Sequence, residues 1–267
     1  MLPTPPGWFP DPWNPGLVRY WDGRAWTMSV AGPPPAPEVP PTLPWRVALG
    51  GVVALVVPLV LARVILRPLA GQSVPAAVMV AASALLAYGP TVWFWWWSTR
   101  RWGSGSMRND AGFTARLADL GWGPTVAIAC FLTQGMLAVV VRLLHVPFRS
   151  NLEGFDDIRN DMGYVIATFV MAVVVAPVVE EVLFRGLIQR SLASVMPQWT
   201  AVALQAVMFG CAHFDPRRGA GNIGLVMVLS GVGAVLGTSA RLTRRLAPGI
   251  TAHAIINGVA LVVAFTR

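Results

Sequence analysis

The sequence predicts an all-α polytopic membrane protein of about seven transmembrane helices, preceded by a small β-hairpin-like module. Three observations carry that expectation. Hydrophobic residues make up 55% of the chain and charged residues 12%, whereas a soluble domain carries roughly 25% charged residues. Mean hydropathy is +0.60. From Trp45 onward, apolar runs of roughly 20 residues, the length that crosses ~30 Å of hydrocarbon, recur to the C-terminus.

Residues 1–30 read as the small Trp-rich module. Asp22-Gly23 lies between Arg19-Tyr20-Trp21 and Trp26-Thr27, a turn signal flanked by aromatic strand formers. So short a stretch buries little core, and its tryptophans must pack it. Residues 31–44 follow as a proline-dominated spacer, semi-rigid and extended. Residues 45–267 form the transmembrane domain, with spans expected at Trp45–Leu66, Val74–Trp97, Pro124–Leu144, Met162–Leu192, Trp199–His213, Ile223–Ala240 and Ala247–Phe265. The fourth is long, and Pro177 can kink it. The fifth has only 15 residues and reaches ~22 Å, short of a crossing. Trp93, Trp95, Trp96, Trp97 and Trp102 suggest an interfacial belt. Ala111–Leu120 suggests a short surface helix dipping Phe113, Leu117 and Leu120 into lipid. Gly233-x-x-x-Gly237 suggests close helix packing.

The net charge of +8 rests on arginine alone. The arginines punctuate the ends of apolar runs instead of clustering on a soluble face, which argues against a nucleic-acid partner. They lean toward a cytoplasmic N-terminus: Arg100, Arg101, Arg108 and Arg116 supply the clearest bias, and loop 145–161 holds four of the acids. Cys130 and Cys211 sit in apolar runs with no metal-ligand spacing and read as buried small side chains. No charged stretch precedes an apolar one at the N-terminus, so no cleavable signal peptide is expected.

Chemistry is expected where polar residues interrupt the last four spans. An ionised carboxylate in hydrocarbon costs at least ~2.5–3.5 kcal/mol, which makes it a functional hypothesis by default. Glu180 and Glu181 stand together in the fourth span, with Arg185 following. Glu181 and Arg185 are i,i+4 and share a helix face as a structural ion pair. Glu180 points roughly 140° from Arg185 and is free for proton chemistry. A carboxylate withdrawn from water suits a general base, and a histidine beside it can share a water molecule. His213 follows Phe209 at i,i+4, and His253 and Asn257 share one face of the last helix, where their N–H groups can form an oxyanion hole. His145 ends a span and reads as interfacial. The combination describes hydrolysis of a peptide bond by water without a covalent intermediate.

Glu-Glu-x-x-x-Arg, Phe-x-x-x-His and His-x-x-x-Asn, in that order on successive helices, resemble the CAAX-protease and bacteriocin-processing (CPBP) family of intramembrane proteases. The resemblance spans about residues 124–267. It implies that Glu180 and His213 activate water and that His253 and Asn257 stabilise the oxyanion, with Glu181, Arg185 and Phe209 supporting. It favours a glutamate-type endopeptidase without a cofactor; the alternative is a metallo-type enzyme with zinc on Glu180, His213 and His253, although no HExxH is present. The implied substrate is a peptide or membrane-protein segment, met in the lipid bilayer of the plasma membrane. The N-terminal module resembles the short Trp-rich domain of unknown function found in bacterial membrane proteins, a module suited to binding a protein or the membrane surface. Two other readings compete. A proton-coupled transporter would show inverted repeats, and none is visible. A non-catalytic immunity or scaffold protein would not need all four catalytic positions, and all four are present.

Overall fold

The computed structural model describes residues 5–14, 16–32, 43–66, 68, 74–151 and 161–266. The chain divides near residue 40 into two compact units. Most of the expected proline spacer, residues 33–42, and the acids Glu153, Asp156 and Asp157 lie outside the described residues.

The N-terminal unit is a three-stranded antiparallel sheet, one strand more than the hairpin expected. Strands β1 (Gly7–Pro10), β2 (Val18–Trp21) and β3 (Trp26–Ala31) pair in chain order. Gly23 takes φ 96° in the β2–β3 turn, a left-handed conformation that suits glycine. The Asp22 carboxylate accepts the N–H groups of Arg24 and Ala25, each at 2.7 Å. Edge-to-face aromatic pairs fill the sheet: Trp8 on Tyr20 and Trp21 on Trp26, both with ring centroids 5.4 Å apart. Asp11 is held below the ordinary carboxylate range. Burial pushes it up, but the Trp13 N–H and the Arg19 guanidinium outweigh that.

The second unit is helical. Its elements are α1 (Trp45–Leu66), α2 (Ala76–Trp102), the short α3 (Met107–Ala111), α4 (Asp119–Leu143), α5 (Met162–Leu192), α6 (Gln198–Ala212), α7 (Asn222–Thr243, led by a 3₁₀ turn Pro216–Gly221) and α8 (Ala247–Thr266). Among the described residues six helices are long and apolar enough to cross a membrane. The fifth expected span, α6, has 15 residues and falls short. It nonetheless runs antiparallel to α7. Arg241 binds the Gln198 side chain and lies 3.7 Å over the Trp199 ring at one end, while Asn222 binds the Asp215 carbonyl at the other. Large apolar side chains such as Val57, Leu61, Leu132, Ile166, Val207 and Val262 face outward, as lipid contact requires of a multi-pass membrane protein.

Helix α5 is the central element and touches α1, α2, α3, α6, α7 and α8. Residues Val182 to Ile188 are buried on every side, which is possible only at the middle of a bundle. α4 packs on α7 and α8, and α1 on α2. At one end Arg190 binds the carbonyls of Asp110 and Arg244, and Arg245 forks onto Asp119 at 2.6–3.1 Å. The α2–α4 loop, the end of α5 and the α7–α8 turn are therefore stitched together.

Three expectations need correction. Residues 112–118 are not helical, because Gly112 adopts φ 69° and ends α3 as a left-handed cap. Trp95, Trp97 and Trp102 pack against the core, with the Trp95 indole N–H on the Met107 carbonyl, so only Trp93 and Trp96 are exposed as a belt would be. Cys130 is buried but Cys211 is exposed, since it falls on the outer face of α6.

The α6–α7 contact depends on small residues. A Cβ on Gly210 would sit 2.6 Å from the Val226 carbonyl oxygen, and one on Gly233 would sit 3.0 Å from Ala206 Cα. Backbone atoms cannot swing aside, so Gly210→Ala must separate the helices. We expect a loss of about 1–3 kcal/mol, read as a lower midpoint of thermal unfolding in detergent; an unchanged midpoint would mean that the two helices are not in this contact.

Candidate active site

Arg185 is 1% exposed and Glu181 is fully enclosed. Their ion pair spans one turn of α5, Arg185 Nη1 to Glu181 Oε1, at 2.8 Å. Arg185 Nη2 donates to the Gly233 carbonyl at 3.2 Å, and Gln205 Nε2 donates to the same oxygen at 3.0 Å. The Arg185 guanidinium also lies 4.4 Å from the centroid of the Phe209 ring. A charge this deep persists only if it is paired and hydrogen-bonded. The Gly233-x-x-x-Gly237 stripe meets that need by exposing carbonyls: Gly237 accepts the Gln189 side chain at 3.0 Å.

Glu181 also holds His253. Gly249 lets α8 approach, because any Cβ there would lie 2.6 Å from Glu181 Oε2. One turn on, His253 Nδ1–H donates to Glu181 Oε1 at 3.3 Å. That bond turns the other ring nitrogen toward the first glutamate, with His253 Nε2 3.9 Å from Glu180 Oε2. Glu180 Oε1 accepts the Tyr88 hydroxyl from α2 at 2.5 Å, whereas Glu180 Oε2 is buried without a hydrogen-bond partner.

The backbone of α5 is not a plain α-helix. Met171–Val175 and Val182–Ile188 are π-helical and flank Ala176–Glu181, which carries the glutamates. Ala176 N–H bonds the Met171 carbonyl, five residues back. In that register the donor to the Ala172 carbonyl would be residue 177, a proline with no N–H. Asn257 Nδ2 supplies the missing bond at 2.7 Å. A π-bulge beside Pro177 thus creates the acceptor that orients Asn257, in keeping with the frequent placement of such bulges at functional sites.

His213 caps α6, and its Nδ1 lies 2.9 Å from the Phe209 carbonyl. A carbonyl only accepts, so Nδ1 carries a proton, and in the neutral ring Nε2 then keeps its lone pair. Phe209 also packs its ring on His213, His253 and Phe184, at centroid distances of 4.9, 5.8 and 5.2 Å. Glu180, His213, His253 and Asn257 line one cavity of about 180 Å³, together with Gln134, Asn151 and Phe209. Glu180 and His213 also line a second cavity of about 740 Å³, mainly apolar, which reaches Leu55, Met79, Ala84 and Arg63.

Residues 162–259 match the family model of type II CAAX prenyl endopeptidase Rce1-like proteins. This segment is similar to the Rce1-like family over 98 of the chain's 267 residues. It contains every residue of the three motifs, and it supports a CPBP-type intramembrane peptidase, a hydrolase acting on a peptide substrate. It is narrower than the 124–267 read from the sequence and leaves α4 outside. Residues 6–39 match a protein family of unknown function, DUF2510. No curated protein and no solved structure matches the chain.

The helical unit brings Glu180, His213, His253 and Asn257 to one cavity and sets Glu181 and Arg185 behind them. The expected division between the glutamates is visible as two partner sets, Arg185 and His253 for Glu181 and Tyr88 for Glu180. His253 differs from a simple oxyanion donor, since it stands between both carboxylates. Tyr88 was missed. Its signal is faint but real: it is one of three tyrosines in the chain and stands inside an apolar span, where a hydroxyl needs a partner. Gln189 and Gln205, buried in apolar runs, carry the same signal. Among the described residues no three His, Cys, Asp or Glu side chains converge to hold a metal ion. His213 has its Nδ1 on a backbone carbonyl and His253 has its Nδ1 on Glu181, which leaves Nε2 of each ring to face the cavity.

Removing Arg185 alone would leave Glu181 with a buried, uncompensated charge. Arg185→Met should cost about 3–5 kcal/mol and strongly reduce membrane-inserted protein. Adding Glu181→Gln should recover much of that abundance, as measured by immunoblotting of washed membranes. Equal loss in the single and double variants would show that the pair is not the determinant.

Proposed function

We propose that the protein is an intramembrane endopeptidase that hydrolyses a peptide bond with a water molecule activated by Glu180 and His213. The observation that carries this reading is the 180 Å³ cavity, lined by both residues together with His253 and Asn257, in which Glu180 Oε2 has no hydrogen-bond partner. Glu180 Oε2 takes one water proton while His213 Nε2 accepts the other hydrogen and aligns the oxygen. The resulting hydroxide adds to the scissile carbonyl. The tetrahedral oxyanion is met by the second Asn257 N–H and by His253 Nε2–H. With Nδ1–H committed to Glu181, His253 donates from Nε2 only when its ring carries both protons. Glu180 then passes its proton to the departing amine, the C–N bond breaks, and the carboxylate is restored.

The apolar 740 Å³ cavity would take the hydrophobic side chains of a peptide or membrane-protein segment, bringing its backbone to Glu180 and His213 from one side. The shared end of Arg190, Arg244, Arg245 and loop 103–118 supports a cytoplasmic N-terminus in a plasma membrane, since these arginines would then lie inside. The reading uses no metal.

Glu180→Gln keeps shape and hydrogen bonding but cannot act as a base. N-terminal proteomics of the native host's membranes and medium should show a set of cleavage products lost in this variant at normal protein abundance, with rates lowered roughly 10²–10⁴-fold. Unchanged products, with a deletion phenotype that the variant does not share, would instead make the protein a binding or scaffold component. Cleavage by purified protein in nanodiscs should also survive treatment with a strong zinc chelator such as 1,10-phenanthroline. Loss of cleavage that zinc restores would overturn the metal-free route.

A further inference from the structure

We propose that Tyr88 is a positioning residue that fixes which oxygen of Glu180 acts as the base, an inference that rests on the reading of Glu180 above. The terminal torsion of a glutamate is broad and nearly two-fold, so an unanchored carboxylate presents either oxygen to the water. The Tyr88 hydroxyl donates to Oε1 at 2.5 Å, a charge-assisted contact that is among the stronger hydrogen bonds a side chain makes. Oε2 is thereby left facing His253 Nε2 at 3.9 Å.

The donor stands on a rigid support. Tyr88 lies mid-way along α2, between buried Ala87 and the helix-embedded Pro90. One turn on, the Thr91 hydroxyl is buried and bonded to the Ala54 carbonyl at 3.2 Å, which holds α2 to α1. Tyr88 also lines the apolar cavity beside Glu180, so a substrate entering that cavity would pass the hydroxyl before reaching the base. Because α2 lies outside residues 162–259, the catalytic carboxylate is oriented by a helix that the segment similar to the Rce1-like family does not contain.

The test uses Tyr88→Phe, which removes only the hydroxyl, in the full-length protein in nanodiscs. The probe is a peptide spanning a cleavage site that the Glu180→Gln comparison identifies. We expect kcat to fall roughly 10–100-fold, the worth of one hydrogen bond to a charged group, with KM unchanged. A spectroscopic readout stands apart from activity. With only three tyrosines in the chain, labelling at the ring carbon bearing the hydroxyl gives three NMR signals, assigned through Tyr20→Phe and Tyr164→Phe. The Tyr88 signal should move in Glu180→Gln, where the acceptor becomes neutral. An unmoved signal, an unchanged kcat, or a raised KM at constant kcat would each overturn the proposal. Full activity of Glu180→Gln would instead overturn the reading of Glu180 itself, so the two failures are distinguishable.

Discussion

The ion pair between Glu181 and Arg185 sets the terms for everything around it. A guanidinium enclosed at the centre of a helical bundle needs a carboxylate, further acceptors and an environment that tolerates charge. Glu181 supplies the first at 2.8 Å, and the Gly233 carbonyl and the Phe209 ring supply the rest. Each partner comes from a different element, so satisfying Arg185 draws α6 and α7 onto α5. Glu181 then reaches the opposite way, to His253 on α8. One buried pair thus fixes the mutual positions of four helices, and the small residues Gly210, Gly233 and Gly249 are where that closeness is made sterically possible.

Backbone irregularity contributes as much as side-chain charge. In hydrocarbon, a carbonyl without an N–H partner is costly and must be answered by another group. Pro177 and the π-helical register leave the Ala172 carbonyl in that condition, and Asn257 answers it. Two consequences follow from one defect: α8 is tied to α5, and an amide with a second N–H is held at the wall of the polar cavity. Adjacent residues diverge by about 100° on the helix, so the hydrogen bonds of Glu180 and Glu181 go to different elements, to Tyr88 on α2 and to His253 on α8.

How much of this was legible in the sequence follows the range of each interaction. Apolar runs reveal spans by length, and the one miscounted, α6, is the run whose length already fell short. Glu181 and Arg185 were readable as a pair because i,i+4 spacing is local. The three motifs could be grouped because each one interrupts an apolar run with polar residues. Tyr88 could not be assigned to Glu180, since 92 residues separate them and no local spacing links α2 to α5. The partner of Asn257 was equally hidden, because reading α5 at 100° per residue assumes the register that Pro177 disrupts. The stretch 111–120 misled for a related reason: its apolar spacing suits a helix, but Gly112 takes the left-handed conformation that ends one.

The two cavities give the proposed chemistry a physical division of labour. Hydrolysis inside a bilayer needs water at the scissile bond and an apolar path for the substrate, and one undivided chamber serves both badly. Here the larger space is mainly apolar and the smaller one carries Gln134, His253 and Asn257, while Glu180, His213 and Asn151 border both. A water molecule in the smaller space finds several partners, which is what makes a confined water stable. An apolar segment in the larger space meets mainly apolar surface until its backbone arrives between the base and the imidazole. Placing these two residues on the shared wall lets the nucleophile and the carbonyl approach from opposite sides. The low-dielectric surroundings that make a buried charge expensive also strengthen each hydrogen bond to a developing oxyanion. In the proposed reading, the helices invest their tightest packing in Glu181 and Arg185 so that Glu180 can remain only partly satisfied.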